Sequence, residues 1–100
     1  MYKLDFLVSA SKEWKNLDRG LKDQFLKVLD RRLLEPRVEG ALLRGDLEGL
    51  YRIKLAKSGY RLVYAVQDEI LTVLVIAVGK RENKDVYRTA TKRLRQIGGT

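Results

Sequence analysis

Neither cysteine nor histidine occurs in this chain of 100 residues. The missing cysteine excludes disulfides, a thiol nucleophile and thiolate metal sites. The missing histidine excludes the usual zinc ligand sets, a Ser-His-Asp triad and the histidine pair that many ribonucleases use. No metal or cofactor is expected. Long apolar runs are missing as well. The longest, Ile70–Val78, covers nine residues interrupted only by Thr72, which is too short for a membrane-spanning helix. The first residues lack the pattern of a secretory signal, so a cytoplasmic protein is expected.

Acidic residues are scarce in one half only. Residues 1–50 carry ten Lys/Arg and nine Asp/Glu, whereas residues 51–100 carry eleven and four. The net charge of +8 therefore sits almost wholly in the second half. The first half reads as scaffold and the second as a surface for an anion, with nucleic acid the default partner. Apolar residues make up 45% of the chain, enough for a core, and the length predicts one domain over 1–100.

What is present centres on Leu50–Tyr87. In Tyr51-Arg52-Ile53-Lys54-Leu55, apolar residues alternate with cations, the period of a strand with one buried face. Ala56-Lys57-Ser58-Gly59 has turn composition, with Gly59 where positive φ is expected. Tyr60–Val66 returns as a second strand. Pairing of the two can bring Arg61 onto the face of Arg52 and Lys54. Any single exposed cation is explained by a solvated face. Three on adjacent strands repel one another, which points to a polyanion rather than to stability.

Elsewhere the pattern is that of a scaffold. Tyr2–Val8 reads as a strand beside or at the edge of the sheet. Ser9 or Ser11 can cap a helix bearing Ala10, Trp14 and Leu17 on one face, with Trp14 taken as packing. Asp18-Arg19-Gly20 breaks that helix, and Asp18 caps the next. Leu21, Phe25, Val28, Leu29 and Leu33 make the clearest amphipathic stripe, ending at Pro36. The glycine-rich segment 37–49 is irregular, with Leu42, Leu43 and Leu47 tucked under the sheet. Ile70–Val78, apolar on both faces, is an inner strand. Asn83 or Asp85 caps a last helix with an apolar stripe of Val86, Ala90, Leu94 and Ile97. The expected class is α+β: a twisted, mainly antiparallel sheet with two N-terminal helices on one face and a C-terminal helix, all the helices lying on a single face.

The run from Tyr51 through Ile-Lys-Leu and Ser-Gly-Tyr-Arg-Leu-Val-Tyr, followed by Val78-Gly-Lys-Arg-Glu and a tyrosine six residues beyond Arg81, closely resembles the RelE toxins of bacterial type II toxin–antitoxin modules. Lys-Glu-Trp at 12–14, Pro-Arg at 36–37 and Leu-Arg-Gly at 43–45 extend the likeness over nearly the whole chain. The resemblance implies the RelE-like microbial ribonuclease fold. It implies a ribosome-dependent endoribonuclease that cuts messenger RNA in the decoding (A) site by 2′-OH attack, leaving a 2′,3′-cyclic phosphate and a 5′-OH. By position, Lys54 resembles the general base and Arg61 the residue that holds the scissile phosphate. Arg81 resembles the one that stabilises the transition state and leaving oxygen, and Tyr87 the aromatic that stacks on the nucleotide. The family commonly has Lys where this chain has Arg52. The guanidinium keeps the charge and adds a bidentate fork, but it cannot serve as a base.

The resemblance also implies two partners, a RelB-type antitoxin and the small-subunit ribosomal RNA. Arg52, Lys57, Lys80, Lys84 and Arg88 are the candidate contacts to phosphate. Chemistry without imidazole is feasible when fixed cations bind the charge of the transition state more tightly than that of the ground state. Crowding by Arg52, Arg61 and Arg81 is expected to disfavour the protonated form of Lys54. The competing reading is a non-catalytic relative: a gyrase-directed ParE-like toxin, which shares the fold but not this basic constellation, or an RNA-binding module.

Overall fold

The alternation seen in the sequence resolves into four strands, β1 (Lys3–Phe6), β2 (Tyr51–Lys54), β3 (Tyr60–Gln67) and β4 (Thr72–Lys80). The computed structural model describes residues 1–81 and 85–98, the side chains of 97 and 98 excepted. The strands form one sheet in the order β1-β4-β3-β2. β1 runs parallel to β4, and the other two pairings are antiparallel. Three helices complete the α+β class, α1 (Val8–Lys15), α2 (Arg19–Leu34) and α3 (Asp85–Gly98).

The stripe on α2 behaves as its spacing requires. Leu21, Phe25 and Leu29 are buried, with Val28 and Leu33 packed at the margin. The Asp18 carboxylate accepts from the Leu21 amide at 2.9 Å, capping the helix. Trp14 lies between Phe6 and Phe25, with ring centroids 5.4 and 6.1 Å away, so it is core. Arg32 on the same helix donates to the Tyr64 hydroxyl (2.8 Å) and the Arg52 carbonyl (3.2 Å). Tyr64 in turn donates to the Pro36 carbonyl at 2.7 Å. Burial pushes the Tyr64 phenol above its ordinary value, with Arg32 opposing.

Four local expectations are corrected. Neither serine caps α1. Leu7 holds the cap position, because its amide still bonds the Val75 carbonyl at 3.0 Å and the chain turns straight from strand to helix. Arg19 and Gly20 form the first turn of α2 rather than a break. Ile70 and Leu71 do not belong to the inner strand. A 3-10 turn at Asp68–Ile70 and Leu71 in the left-handed region (φ 47°) reverse the chain, leaving both side chains exposed. The helices also do not share one face. Val73, Val75 and Val78 of β4 pack in the cluster that holds α1 and α2 residues, while Leu74, Ile76 and Ala77 pack with Val86 and Ala90 of α3. An inner strand that is apolar on both sides needs cover on both sides. Asn83, the Ile97 side chain and Gly99 lie outside the described residues.

The ladder between β3 and β4 is not regular throughout. Val63 pairs with Ala77 but Tyr64 pairs with Val75, so Ile76 is an extra residue in β4. The bulge inverts the phase of the strand beyond it, placing Gly79 opposite Arg61 and bringing the following Arg81 onto the same face.

Replacing Asp18 with Ala should cost about 1 kcal/mol, the usual value of an N-cap, read as a lower urea midpoint at unchanged slope. At the far end of the sheet, Asp68 accepts two bonds from Arg37 (2.8 and 2.7 Å) and one from Tyr2 (2.8 Å), which hold its carboxyl below the usual range. With the folded value depressed, this contact's stabilisation is present above the unfolded carboxylate range and is lost as pH falls through the folded one. Asp68→Asn should therefore flatten the acid limb of the stability profile, modestly because the pair is exposed.

Candidate active site

The site is built on the hairpin. In the β2–β3 register, Arg52 faces Val63 and Lys54 lies directly opposite Arg61. Residues opposite one another share a face, as do residues two apart, so Arg52, Lys54 and Arg61 form one patch. Gly59 (φ +77°) makes the tight return, and its amide donates to the Leu55 carbonyl at 3.0 Å. The Gly59 carbonyl accepts from the Arg81 amide at 2.9 Å, so the ladder continues one residue past β4 and Arg81 is tied to the hairpin.

Two walls complete a cleft of about 410 Å³. One is Tyr87, half-buried on the first turns of α3 and packed at the margin of the cluster that holds Val86 and Ala90. The other is the irregular segment, which contains two 3-10 turns, Glu39–Ala41 and Gly45–Leu47. Leu43 and Leu47 of this segment are buried in one cluster with Leu50 and Val63, tucked in as expected. The lining residues are Leu43, Arg44, Leu47, Arg52, Lys54, Arg61, Arg81 and Tyr87. Five are cations, and among the described residues no acid lines the cleft.

Arg61 has a relative exposure of 8%, and its Nη1 donates to the Tyr60 carbonyl at 3.1 Å. The ion pairs among the described residues are Arg37–Asp68 and Arg93–Glu13, so none of the five lining cations is neutralised by a carboxylate there. A buried guanidinium without a counter-ion is costly, and like charges facing each other across strands destabilise further. An incoming anion removes both costs at once. Guanidinium forks suit phosphate, which they grip bidentately.

The structure thus gathers Arg52, Lys54, Arg61, Arg81 and Tyr87. It does not bring Lys57, Lys80 or Arg88 into the lining. Lys57 is exposed in the hairpin turn, and Arg88 is exposed on α3. Lys80 stands 5.7 Å from the centroid of the Tyr60 ring, on a shallow depression shared with Ser58, Gly59 and Arg81. Lys84 lies outside the described residues. Arg44 is the cation that sequence reasoning missed as a site residue. It lies between Leu43 and Leu47, both buried, but the irregular segment offers no period that would have shown which way it faces.

A profile of the ParE toxin of the type II toxin–antitoxin system parDE matches residues 4–85. The chain belongs to this RelE/ParE family of toxins of type II toxin–antitoxin modules. Within the family its similarity is to RelE. It is 50% identical to the mRNA interferase toxin RelE of Escherichia coli K12 over 93 residues, covering 93% of this chain and 97% of that protein. It is 47% identical to a putative RelE-like toxin protein of Escherichia coli, covering 94% and 98%. Free Escherichia coli RelE carrying two arginine-to-alanine substitutions superposes with a TM-score of 0.83 at 48% identity, covering 93% of this chain and 97% of that one. The toxin in the intact Escherichia coli RelBE toxin–antitoxin complex superposes at 0.76 and 49%, covering 80% and 96%.

Binding of a short 2′-O-methyl RNA, which cannot be cut, gives a direct test of the cleft. Arg52→Ala and Arg44→Ala should each lower the slope of log affinity against log salt by about 0.7, the value of one phosphate contact on a single strand. Lys27→Ala, on the exposed side of α2, should leave the slope unchanged.

Proposed function

We propose that this chain, acting as one toxin domain over residues 1–100, is a ribosome-dependent endoribonuclease that cuts messenger RNA in the decoding site and so stops translation in the cytoplasm. The observation that carries the reading is the gathering of five cations, Arg44, Arg52, Lys54, Arg61 and Arg81, with Tyr87 around one cleft. Tyr87 stacks on a base and sets the nucleotide in the cleft. Lys54 takes the proton of the ribose 2′-OH. The 2′ oxygen attacks the adjacent phosphorus while the bond to the 5′ oxygen breaks, giving a 2′,3′-cyclic phosphate. Arg61 and Arg52 bind the non-bridging oxygens as charge builds on them. Arg81 steadies the departing 5′ oxygen, which takes a proton from water and leaves as 5′-OH, while Lys54 returns its proton to solvent.

Lys54 is exposed in the free protein, where water screens its neighbours. RNA and ribosome covering the cleft expel that water. A base contributes on the order of 10²–10⁴-fold, so alignment of the 2′ oxygen with phosphorus must supply much of the rest. The ribosome provides this by constraining the messenger. Lys57, Lys80, Lys84 and Arg88 serve as contacts to the ribosomal RNA backbone around the cleft. A RelB-type antitoxin, of the kind bound to RelE in the RelBE complex, restrains the toxin.

The family match by itself also fits a gyrase-directed toxin. That reading gives no role to a buried Arg61 that meets no carboxylate among the described residues, and the RelE relatives favour the nuclease. Programmed ribosomes decide between them. The wild-type protein should cut ribosome-bound messenger and spare the same messenger free in solution. Arg81→Ala, folded as judged by circular dichroism, should lose at least about 10²-fold in rate, the usual cost of one donor to a transition-state oxyanion. A 2′-deoxy nucleotide at the cut site should resist entirely. Full cutting by Arg81→Ala would refute the site assignment.

A further inference from the structure

β4 outruns its neighbour. β1 ends at Phe6, the Leu7 amide makes the last bond to β4 at Val75, and β4 continues to Lys80. No described strand pairs with β4 on that side beyond Val75. Its edge there is occupied instead by two side chains. The Ile76 carbonyl accepts from Arg93 Nη1 at 2.9 Å, and the Val78 amide donates to Glu13 Oε1 at 3.1 Å. Arg93 and Glu13 are joined to each other by a two-pronged fork, at 2.7 Å (Nη1 to Oε1) and 3.1 Å (Nη2 to Oε2). The side chains are only 16% and 32% exposed, so water weakens this pair less than the Arg37–Asp68 pair.

Glu13 belongs to α1 and Arg93 to α3, helices on opposite faces of the sheet. The fork therefore clasps β4 from both sides, at the bulge that sets the phase of Arg81. Arg93 lies six residues beyond Tyr87 on α3, about 9 Å along the axis and about 120° around it. A helix pinned at Arg93 is fixed in its rotation about that axis, and the rotation decides where Tyr87 points. Neither Glu13 nor Arg93 lines the cleft.

We propose that Glu13 and Arg93 are positioning residues, a latch that fixes the rotation of α3 on β4 so that Tyr87 faces Arg81 and Arg61 across the cleft. The kinetic arm of the test rests on the nuclease reading; the spectroscopic arm does not. Arg93→Gln removes the charge and the fork but keeps a donor for Ile76. It should lower kcat on ribosome-bound messenger about tenfold with KM unchanged. In a Tyr87→Ala background the same substitution should change nothing further, because there is no ring left to aim. Arg93→Lys, which restores the charge without the fork, should recover part of the loss.

An equal tenfold loss in both backgrounds would show a merely structural contact and overturn the proposal. In the uncleaving free protein, Arg93→Gln should shift the Tyr87 ring resonances and speed exchange of the Val78 amide, leaving α2 amides protected. Unchanged Tyr87 resonances would also overturn it. A wild-type protein that cuts no messenger while these shifts appear would defeat the nuclease reading and leave the latch standing.

Discussion

Lys54 and Arg61 face each other across the central hairpin, and everything else in the molecule has to accommodate that contact. Like charges at opposed positions destabilise a sheet, and here three further cations join them around one cleft. The fold tolerates the repulsion because the reverse face of the same strands is strongly apolar. Tyr51, Ile53 and Leu55 on β2 and its exit, and Leu62 and Tyr64 on β3, are buried under α2. Burial at roughly 25 cal/mol per Å² outweighs cross-strand repulsion of less than about 1 kcal/mol per pair. The hairpin is thus a rigid plate, greasy behind and cationic in front.

A rigid plate suits chemistry that relies on charge rather than on proton transfer by imidazole. The Arg61 side chain is held by burial and by the Tyr60 carbonyl, while at Arg81 it is the backbone that is held, by the amide bond to Gly59, and the side chain is exposed. Donors fixed before the substrate arrives need little reorganisation as charge develops. The Arg52 backbone is held too, through its carbonyl and Arg32. The lining cations left exposed are Arg44, Lys54 and Arg81, and on the proposed reading theirs are the surroundings that would change most once RNA covered the cleft.

Much of this was legible in the sequence, for identifiable reasons. The α2 stripe and its Asp18 cap were local signals, and local signals survive folding when the burial they ask for is available. The hairpin was legible because period-two alternation and a glycine return agree with each other. Three cations of the site followed from that register alone. Arg44 was not visible as a site residue, because an irregular segment has no period from which to infer facing. The Ile76 bulge was equally hidden, since an apolar run reads the same with or without one extra residue. The helix placement was misjudged because amphipathicity says that a helix has a buried side, not which face of the sheet will bury it.

The amino-acid order by itself determined the elements, the charge asymmetry, the absence of imidazole and thiol chemistry, and the shared face of Arg52, Lys54 and Arg61. These depend on spacing within one strand or one hairpin. The tertiary structure alone decided that Arg81, Tyr87 and Arg44 join them. Each of these reaches the cleft through contacts between segments far apart in sequence: the bulge in β4, the seating of α3 on the opposite face, and the burial of Leu43 and Leu47. Such contacts are settled by packing, and packing depends on the whole core at once.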